Sequence, residues 1–118
     1  MLAPPLVLAD LFALSARPDS LAFSVLRPGV EIHRLWGDPP EGPGAALLRY
    51  APGASIPAHH HVGHEQILVL TGSQSDERGL YRAGTLIVNP PGTGHTVHSA
   101  EGCLVLVVWE RGIKPRAA

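Results

Sequence analysis

This 118-residue sequence has little cysteine, a small net charge and few long apolar runs. Cys103 is the single cysteine, so no internal disulfide can form and nothing indicates an oxidising compartment. The formal net charge is −1 and no basic run is present, which gives nucleic-acid binding little electrostatic support. The apolar stretch from Leu6 to Leu14 is interrupted by Asp10 and is too short to span a bilayer. We expect a cytoplasmic protein without a nucleic-acid or membrane partner.

Composition favours one small β domain. Hydrophobic residues make up 45% of the sequence, and its length suits a single core rather than two. Thirteen glycines and twelve prolines punctuate short apolar runs, which is typical of an all-β sandwich or barrel. Residues 6–16 are predicted to form a short helix or an edge strand. The predicted strands are Phe23–Leu26, Val30–Trp36, Ala45–Ala51, Gln66–Leu70, Gly79–Arg82, Thr85–Val88, His95–Ser99 and Leu104–Glu110.

Three of these strands are apolar on both faces. They contain the runs 67–70, 86–88 and 104–109. Such strands are covered on both sides, either by a second packed sheet or by a partner subunit. The additional apolar face therefore predicts a homodimer.

Histidines and a glutamate predict a metal site. Side chains alternate along a strand, so His59 and His61 share one face and His60 points the other way. Glu65 rejoins the face of His61 if the intervening residues bend gently, and His95 needs a strand laid beside the first. Imidazole and carboxylate together suit borderline divalent metals. Isolated histidines are more often surface residues, and we assign His33, His60, His64 and His98 to that group.

Two spaced motifs resemble those of the cupin superfamily. The first matches its pattern at Gly53, His59, His61, Glu65 and Gly72, and the second at Gly84, Pro90, Gly92 and His95. The second departs only at its end, where Ser99 replaces a frequent asparagine. The resemblance implies a double-stranded β-helix, or jelly-roll barrel, over residues 23–112. Residues 1–22 would form a short N-terminal extension and residues 113–118 a C-terminal tail.

A narrower resemblance links the chain to the cupin domain of ChrR-type anti-sigma factors. It is carried by residues 70–84, by Pro28-Gly29-Val30 and by Gly102-Cys103. It implies one divalent transition metal, zinc, iron, manganese or nickel, held by the residues His59, His61, Glu65 and His95. Those regulators also carry an N-terminal zinc module with a Cys-x-x-Cys pair, which this sequence lacks. We therefore do not expect sigma-factor binding.

Two functions fit this ligand set. One is a metal-dependent enzyme acting on a small molecule, of the oxygenase, isomerase or lyase type. The other is a non-catalytic, metal-containing sensory or regulatory module related to the ChrR cupin domain. A metal-free sugar epimerase is disfavoured because the full ligand set is present. An enzyme requires an open metal position and a substrate cavity; candidates to line that cavity are Gln66, Ser55, Arg49 and Tyr81.

Other residues are assigned structural roles. Cys103 is predicted to be a small buried hydrophobe, and alternation places Trp109 on its face of the strand, with Val105 and Val107. Asp76 and Glu77 are predicted to lie in a solvated hairpin turn. The glycines of the two motifs are predicted to be turn residues with permissive backbone angles.

Overall fold

The structure, a computed structural model, describes residues 2–115 and consists largely of antiparallel strands. A 3-10 helix over Leu11–Ala16 precedes the strands. The strands are β1 Ser24–Arg27, β2 Val30–Gly37, β3 Gly44–Tyr50, β4 Ala54–His61, β5 Glu65–Asp76, β6 Gly79–Arg82, β7 Leu86–Asn89, β8 Gly94–Ser99, β9 Cys103–Trp109 and β10 Ile113–Pro115. No helix within residues 2–115 is long and apolar enough to cross a membrane.

Strand β5 joins two antiparallel sheets that curl around a common core. Its first half pairs with β7 and β9, and the sheet continues through β3 and β2 to β1. Its second half pairs with β6 and meets β8, from which β4 and β10 follow. A register shift between Val69 and Thr71 separates the two halves, as a bulge that bends a strand does. The predicted all-β jelly-roll architecture is confirmed.

The main core lies between the two sheets. Alternate residues of β9, Cys103, Val105, Val107 and Trp109, point into it, as the sequence pattern predicts. Burial raises the pKa of the Cys103 thiol to about 11, so this side chain is a neutral, buried group. The prediction of a small buried hydrophobe is confirmed.

The opposite face of β3, β5 and β9 has its own apolar cluster, covered by the N-terminal segment. Leu14 of the 3-10 helix packs there with Leu47, Leu70 and Leu104. Strands that are apolar on both faces need a cover on each side. The N-terminal segment supplies this cover for part of the outer face. Farther along the same face Trp36, Leu86 and Val88 are 57%, 57% and 52% exposed.

Several element boundaries differ from the sequence predictions. Residues Ala54–His61 form a complete strand, β4. A register shift between Ile56 and His59 breaks the alternation of its side chains. Strand β5 runs on to Asp76 instead of ending at residue 70. Residues 113–115, predicted to be tail, form β10 beside β4; residues 116–118 lie outside the described part. Residues 6–16 were predicted to form a short helix or an edge strand. The structure has a 3-10 helix there, and it covers only Leu11–Ala16.

Gly72 and Gly102 show why the turns need glycine. The backbone of Gly72 has φ +71°, and a Cβ added there would collide with the carbonyl oxygen of Gly102. This close approach holds the start of β9 against the middle of β5. Gly53, Gly84 and Gly92 also have positive φ, so the predicted turn role of the motif glycines is confirmed.

Candidate metal site

Three strands bring the four predicted ligands to the inside of the barrel near one end. His59 and His61 lie at the end of β4, and His95 of β8 is the direct cross-strand partner of His59. Glu65 is the first residue of β5. The register shift in β4 resets its alternation, so that both His59 and His61 face inward with His95. All four residues are buried.

The three imidazoles form a compact cluster. One ring nitrogen from each of His59, His61 and His95 can be chosen so that all lie within 4.8 Å of one another. The ring centroids are 4.7 to 5.3 Å apart, with edge-to-face orientations. Oε1 of Glu65 approaches Nε2 of His61 to 2.9 Å and Nε2 of His95 to 3.8 Å. Three buried histidines in this arrangement can bind a metal ion.

Each imidazole is oriented through its Nδ1 atom. His59 Nδ1 lies 3.0 Å from the Pro57 carbonyl oxygen, and His95 Nδ1 lies 3.0 Å from Asp76 Oδ2. Both partners can only accept, so each Nδ1 carries the proton. His61 Nδ1 lies 3.0 Å from Thr93 Oγ1, whose own hydrogen is donated to the Pro90 carbonyl oxygen. With the proton on Nδ1, a neutral imidazole at each position presents an unprotonated Nε2, the form that coordinates a metal.

The Nε2 atoms of His61 and His95 are buried and have no hydrogen-bond partner among residues 2–115. The approach of Glu65 to His61 is short but lacks hydrogen-bond geometry. Two electron-rich atoms 2.9 Å apart with no hydrogen shared between them repel unless a cation lies close to both. The donor set and its unpartnered nitrogens thus fit a divalent metal ion.

The electrostatics of the site favour a neutral His59 imidazole and an ionised Glu65 carboxylate. Burial lowers the pKa of His59, and the neighbouring His95 and His61 lower it further. Burial raises the pKa of Glu65, but the adjacent His61, with His95 and His59, more than offsets this and leaves it below its ordinary value. Both shifts favour the protonation states that metal binding needs.

Asp76 is a member of the site that the sequence prediction misassigned. Its side chain is 2% exposed, at the end of β5, instead of lying in a solvated turn. It accepts hydrogen bonds from His95 Nδ1, the backbone N–H of Arg78 and the Tyr81 hydroxyl. Burial raises its pKa, but these donors outweigh burial and keep the pKa below its usual value. Glu77 is exposed as predicted, where its carboxylate accepts from the backbone N–H of Thr96.

Asn89 orients the fourth predicted ligand. Its Nδ2 donates to Glu65 Oε1 at 3.1 Å, and it is the cross-strand partner of Glu65. Sequence reasoning did not single it out, although an asparagine at the end of an apolar strand beside Pro90 was the available signal.

The remaining histidines lie away from the cluster. His60, between two inward residues, pairs with Lys114 of β10 in register, and His64 approaches Glu110 at 3.5 Å on the surface. His98 is exposed, and His33 lies within 2.6 Å of the Ala22 carbonyl oxygen. None of them joins the inward-facing group, as predicted.

A cavity of about 350 Å³ opens beside the cluster. His59, Glu65 and His95 line it, whereas His61 is not among its lining residues. Its other walls are mainly apolar, from Leu48, Tyr50, Ile56, Ile67, Val97, Val107, Trp109 and Ile113. The prediction of its lining residues is wrong: the cavity is not lined by Gln66, Ser55, Arg49 or Tyr81. Besides the proposed ligands, its charged and amide side chains are Arg27, Glu41 and Gln74.

Comparison with known proteins places the chain among cupins. A family described as the ChrR cupin-like domain matches residues 13–111. A chain in the complex of Rhodobacter sphaeroides SigE with the anti-sigma ChrR is 22% identical, with TM-score 0.69, covering 92% of this chain and 70% of that one. An acetylacetone dioxygenase from Acinetobacter johnsonii is 12% identical, with TM-score 0.70, covering 92% and 74%.

A protein of unknown function with a cupin-like fold from Ralstonia eutropha JMP134 is 21% identical, with TM-score 0.60. That match covers 75% of this chain but only 56% of the Ralstonia protein. No curated protein matches the chain. At these identities the solved structures show a shared fold and leave activity to be argued from the site.

Proposed function

Because the chain belongs to the ChrR cupin-like domain family, we propose that it holds one divalent transition metal and acts on a small molecule bound beside it. The proposed ligands are Nε2 of His59, His61 and His95 and the carboxylate of Glu65. Their buried, inward-facing nitrogens and the carboxylate beside them support this assignment.

The cavity is the observation that favours an enzyme of the oxygenase, isomerase or lyase type. Three of the four proposed ligands line it, so an ion held by all four would face a space of about 350 Å³, at the lower end of the range for small-molecule sites. A closed structural site would instead be surrounded by packed side chains. The mainly apolar walls suit a small molecule with a hydrocarbon body and few polar groups.

The chain's own residues would orient the ligands and exclude water. Asp76, Thr93 and the Pro57 carbonyl hold the three imidazoles, and Asn89 holds Glu65. Apolar residues such as Val97 and Val107 limit the water that reaches the cavity floor. When bound, a divalent ion would supply a Lewis acid able to polarise a carbonyl or enolate oxygen.

Cobalt spectroscopy tests whether the site is open. Protein freed of metal and reloaded with Co²⁺ is titrated with azide while the visible absorption is recorded. An open site predicts a saturable change in the d–d bands in wild type and in the surface variant His98→Ala. A spectrum that azide does not alter, in protein shown to hold cobalt, would contradict the enzyme proposal.

The alternative is a non-catalytic sensory or regulatory module. The family match and the likeness to the structure containing ChrR favour it. A sensory module predicts metal binding without turnover, together with a change in stability when the metal is lost. Consumption of a carbonyl compound by metal-loaded protein, absent in His95→Ala, would decide for the enzyme.

We also propose a homodimer formed through the exposed apolar part of the outer face. Trp36, Ala45, Val108, Gln66 and Val88 follow one another across β2, β3, β9, β5 and β7, so they share that face. Three large apolar side chains there are more than half exposed. Light scattering should report a dimer for wild type and a monomer for Val88→Glu. A monomeric wild type at micromolar concentration would contradict the dimer.

A further inference from the structure

Two donors in the cavity wall have no hydrogen-bond partner within residues 2–115. They are Nε of Arg27 and Nε1 of Trp109, and both atoms are buried. An unpaired buried donor is unfavourable by more than a typical hydrogen bond contributes. Neither residue belongs to the proposed ligand set. Each donor can be satisfied by an acceptor on a molecule in the cavity.

Arg27 also brings an unpaired positive charge. Nε of Arg27 is buried while the residue as a whole is only partly buried, and a planar guanidinium of this kind pairs well with a carboxylate. The carboxylates that line the cavity are Glu65 and Glu41. Neither forms an ion pair with Arg27 in the described part of the chain. Glu65 accepts a hydrogen bond from Asn89, and Glu41 is exposed.

The two donors belong to residues that lie toward opposite ends of strand β3. Arg27 ends β1 and pairs with Val30, which in turn pairs with Tyr50. Trp109 pairs with Gly44 and with Glu65, at the metal-site end. Tyr50 and Gly44 are six residues apart on β3, which corresponds to roughly 20 Å of strand, and the side chains reach inward from both ends. Apolar side chains, including Leu48 and Val107, line the space between.

The charges of Arg27 and Glu65 both act on Tyr50. Burial raises the pKa of Tyr50 well above its ordinary value, nearby Cys103 and Glu65 raise it further, and the Arg27 charge lowers it. Tyr50 lines the same cavity as Arg27 and Glu65. Arg27 and the metal-site residues Glu65 and His95 line one cavity, so a single molecule in it can contact both.

We propose that the cavity binds an organic carboxylate with an apolar body, its carboxylate paired with Arg27 and an oxygen at its other end beside the metal site. This rests on the proposed function for the metal end only. Among the described lining residues Arg27 is the one side chain with a permanent positive charge, which suits a single carboxylate better than a polyanion. The Trp109 N–H then donates to the oxygen beside Glu65.

The test compares a charged probe with its neutral isostere. Protein loaded with Ni²⁺ is titrated by calorimetry with 4,6-dioxoheptanoate and with 4,6-dioxoheptanamide, whose diketone ends are identical and bind divalent ions. Wild type should bind the acid roughly ten- to a hundredfold more tightly than the amide, as expected for a charge-assisted pair. Arg27→Gln should remove this preference. Arg82→Gln, which removes an exposed arginine, should preserve it.

The outcomes separate this inference from the metal proposal. Equal affinity for acid and amide in nickel-loaded wild type, or a preference that survives Arg27→Gln, overturns the inference and leaves the metal site standing. Absence of binding by both probes overturns it as well. If nickel does not bind, the proposed function fails, and the acid preference is measured on metal-free protein, where Arg27 predicts that it persists. Should Arg27→Gln not fold, Arg27→Lys keeps the charge and should retain part of the preference.

Discussion

Asp76 Oδ2 lies 3.0 Å from His95 Nδ1, joining the end of β5 to the start of β8 across 19 residues of sequence. Because a carboxylate can only accept, this contact places the proton on Nδ1 and leaves Nε2 of His95 unprotonated. Metal-binding histidines are commonly oriented by such a carboxylate. The relationship makes Asp76 part of the site although it is not among the proposed ligands.

Asp76→Asn should weaken metal binding by about ten- to a hundredfold. The asparagine amide can present an N–H to His95 Nδ1, which would place the ring proton on Nε2 instead. Competition with a chromogenic chelator measures the metal Kd. Glu77→Gln is the matched control, because Glu77 is adjacent and contacts only backbone and side chain of Thr96. Equal affinities for wild type and Asp76→Asn would contradict the role assigned to Asp76.

Thr93→Val should weaken metal binding by about tenfold or less. The substitution is nearly isosteric and removes the oxygen that accepts from His61 Nδ1 at 3.0 Å. The loss is smaller than for Asp76 because the partner is uncharged. The same chelator competition measures it, with Thr96→Val as a control at an exposed position. An affinity loss in the Thr96 variant as large as in the Thr93 variant would show a general effect of threonine removal.

The two glycines of the first motif should respond differently to alanine. Gly72→Ala should reduce the free energy of unfolding by about 3 kcal/mol or more, because its Cβ meets the Gly102 carbonyl and φ is positive. Gly53→Ala should reduce it by only about 1–2 kcal/mol, since φ is also positive but no atom of the described residues lies within 4 Å of the added Cβ. Urea denaturation of metal-free protein measures both. A cost at Gly53 equal to that at Gly72 would contradict the close-approach argument.

Metal-free protein should lose stability on acidification below the ordinary histidine pKa of 6.5. The pKa of His59 is lower in the folded state, so below 6.5 the unfolded chain binds a proton that the folded chain does not. Asp76 and Glu65 act in the same direction at lower pH, because their folded pKa values lie below the ordinary 3.8 and 4.5. Urea denaturation at pH 7.5, 6.5 and 5.5 should show a steeper decline for wild type than for His59→Gln. Stability that rises on acidification would contradict the assignment.

The histidine cluster could be predicted because its spacing is local. His59, His61 and His95 follow strand alternation and two motifs, and each needs only a neighbouring strand to meet the others. The face of β9 that carries Cys103 and Trp109 followed from the same alternation. Where alternation is uninterrupted, sequence period determines which side chains face inward.

Positions beyond a bulge or at the end of a long strand could not be predicted. Asp76 looked like a turn residue because nothing in its neighbourhood shows that β5 continues past Gly72 to reach His95. The cavity-lining prediction failed for a similar reason: Arg49 is held by Glu31 on the outer face, and Arg27 is placed by a register shift in β1. Both outcomes depend on tertiary pairing that local patterns do not encode.

Elemental analysis of protein purified without added metal tests the central claim most directly. Wild type and His98→Ala should each contain about one divalent transition metal per chain, and His95→Ala should contain little, because it removes an Nε2 from the buried cluster. Circular dichroism establishes that all three proteins are folded. Equal metal content in folded wild type and His95→Ala would contradict the proposed metal site.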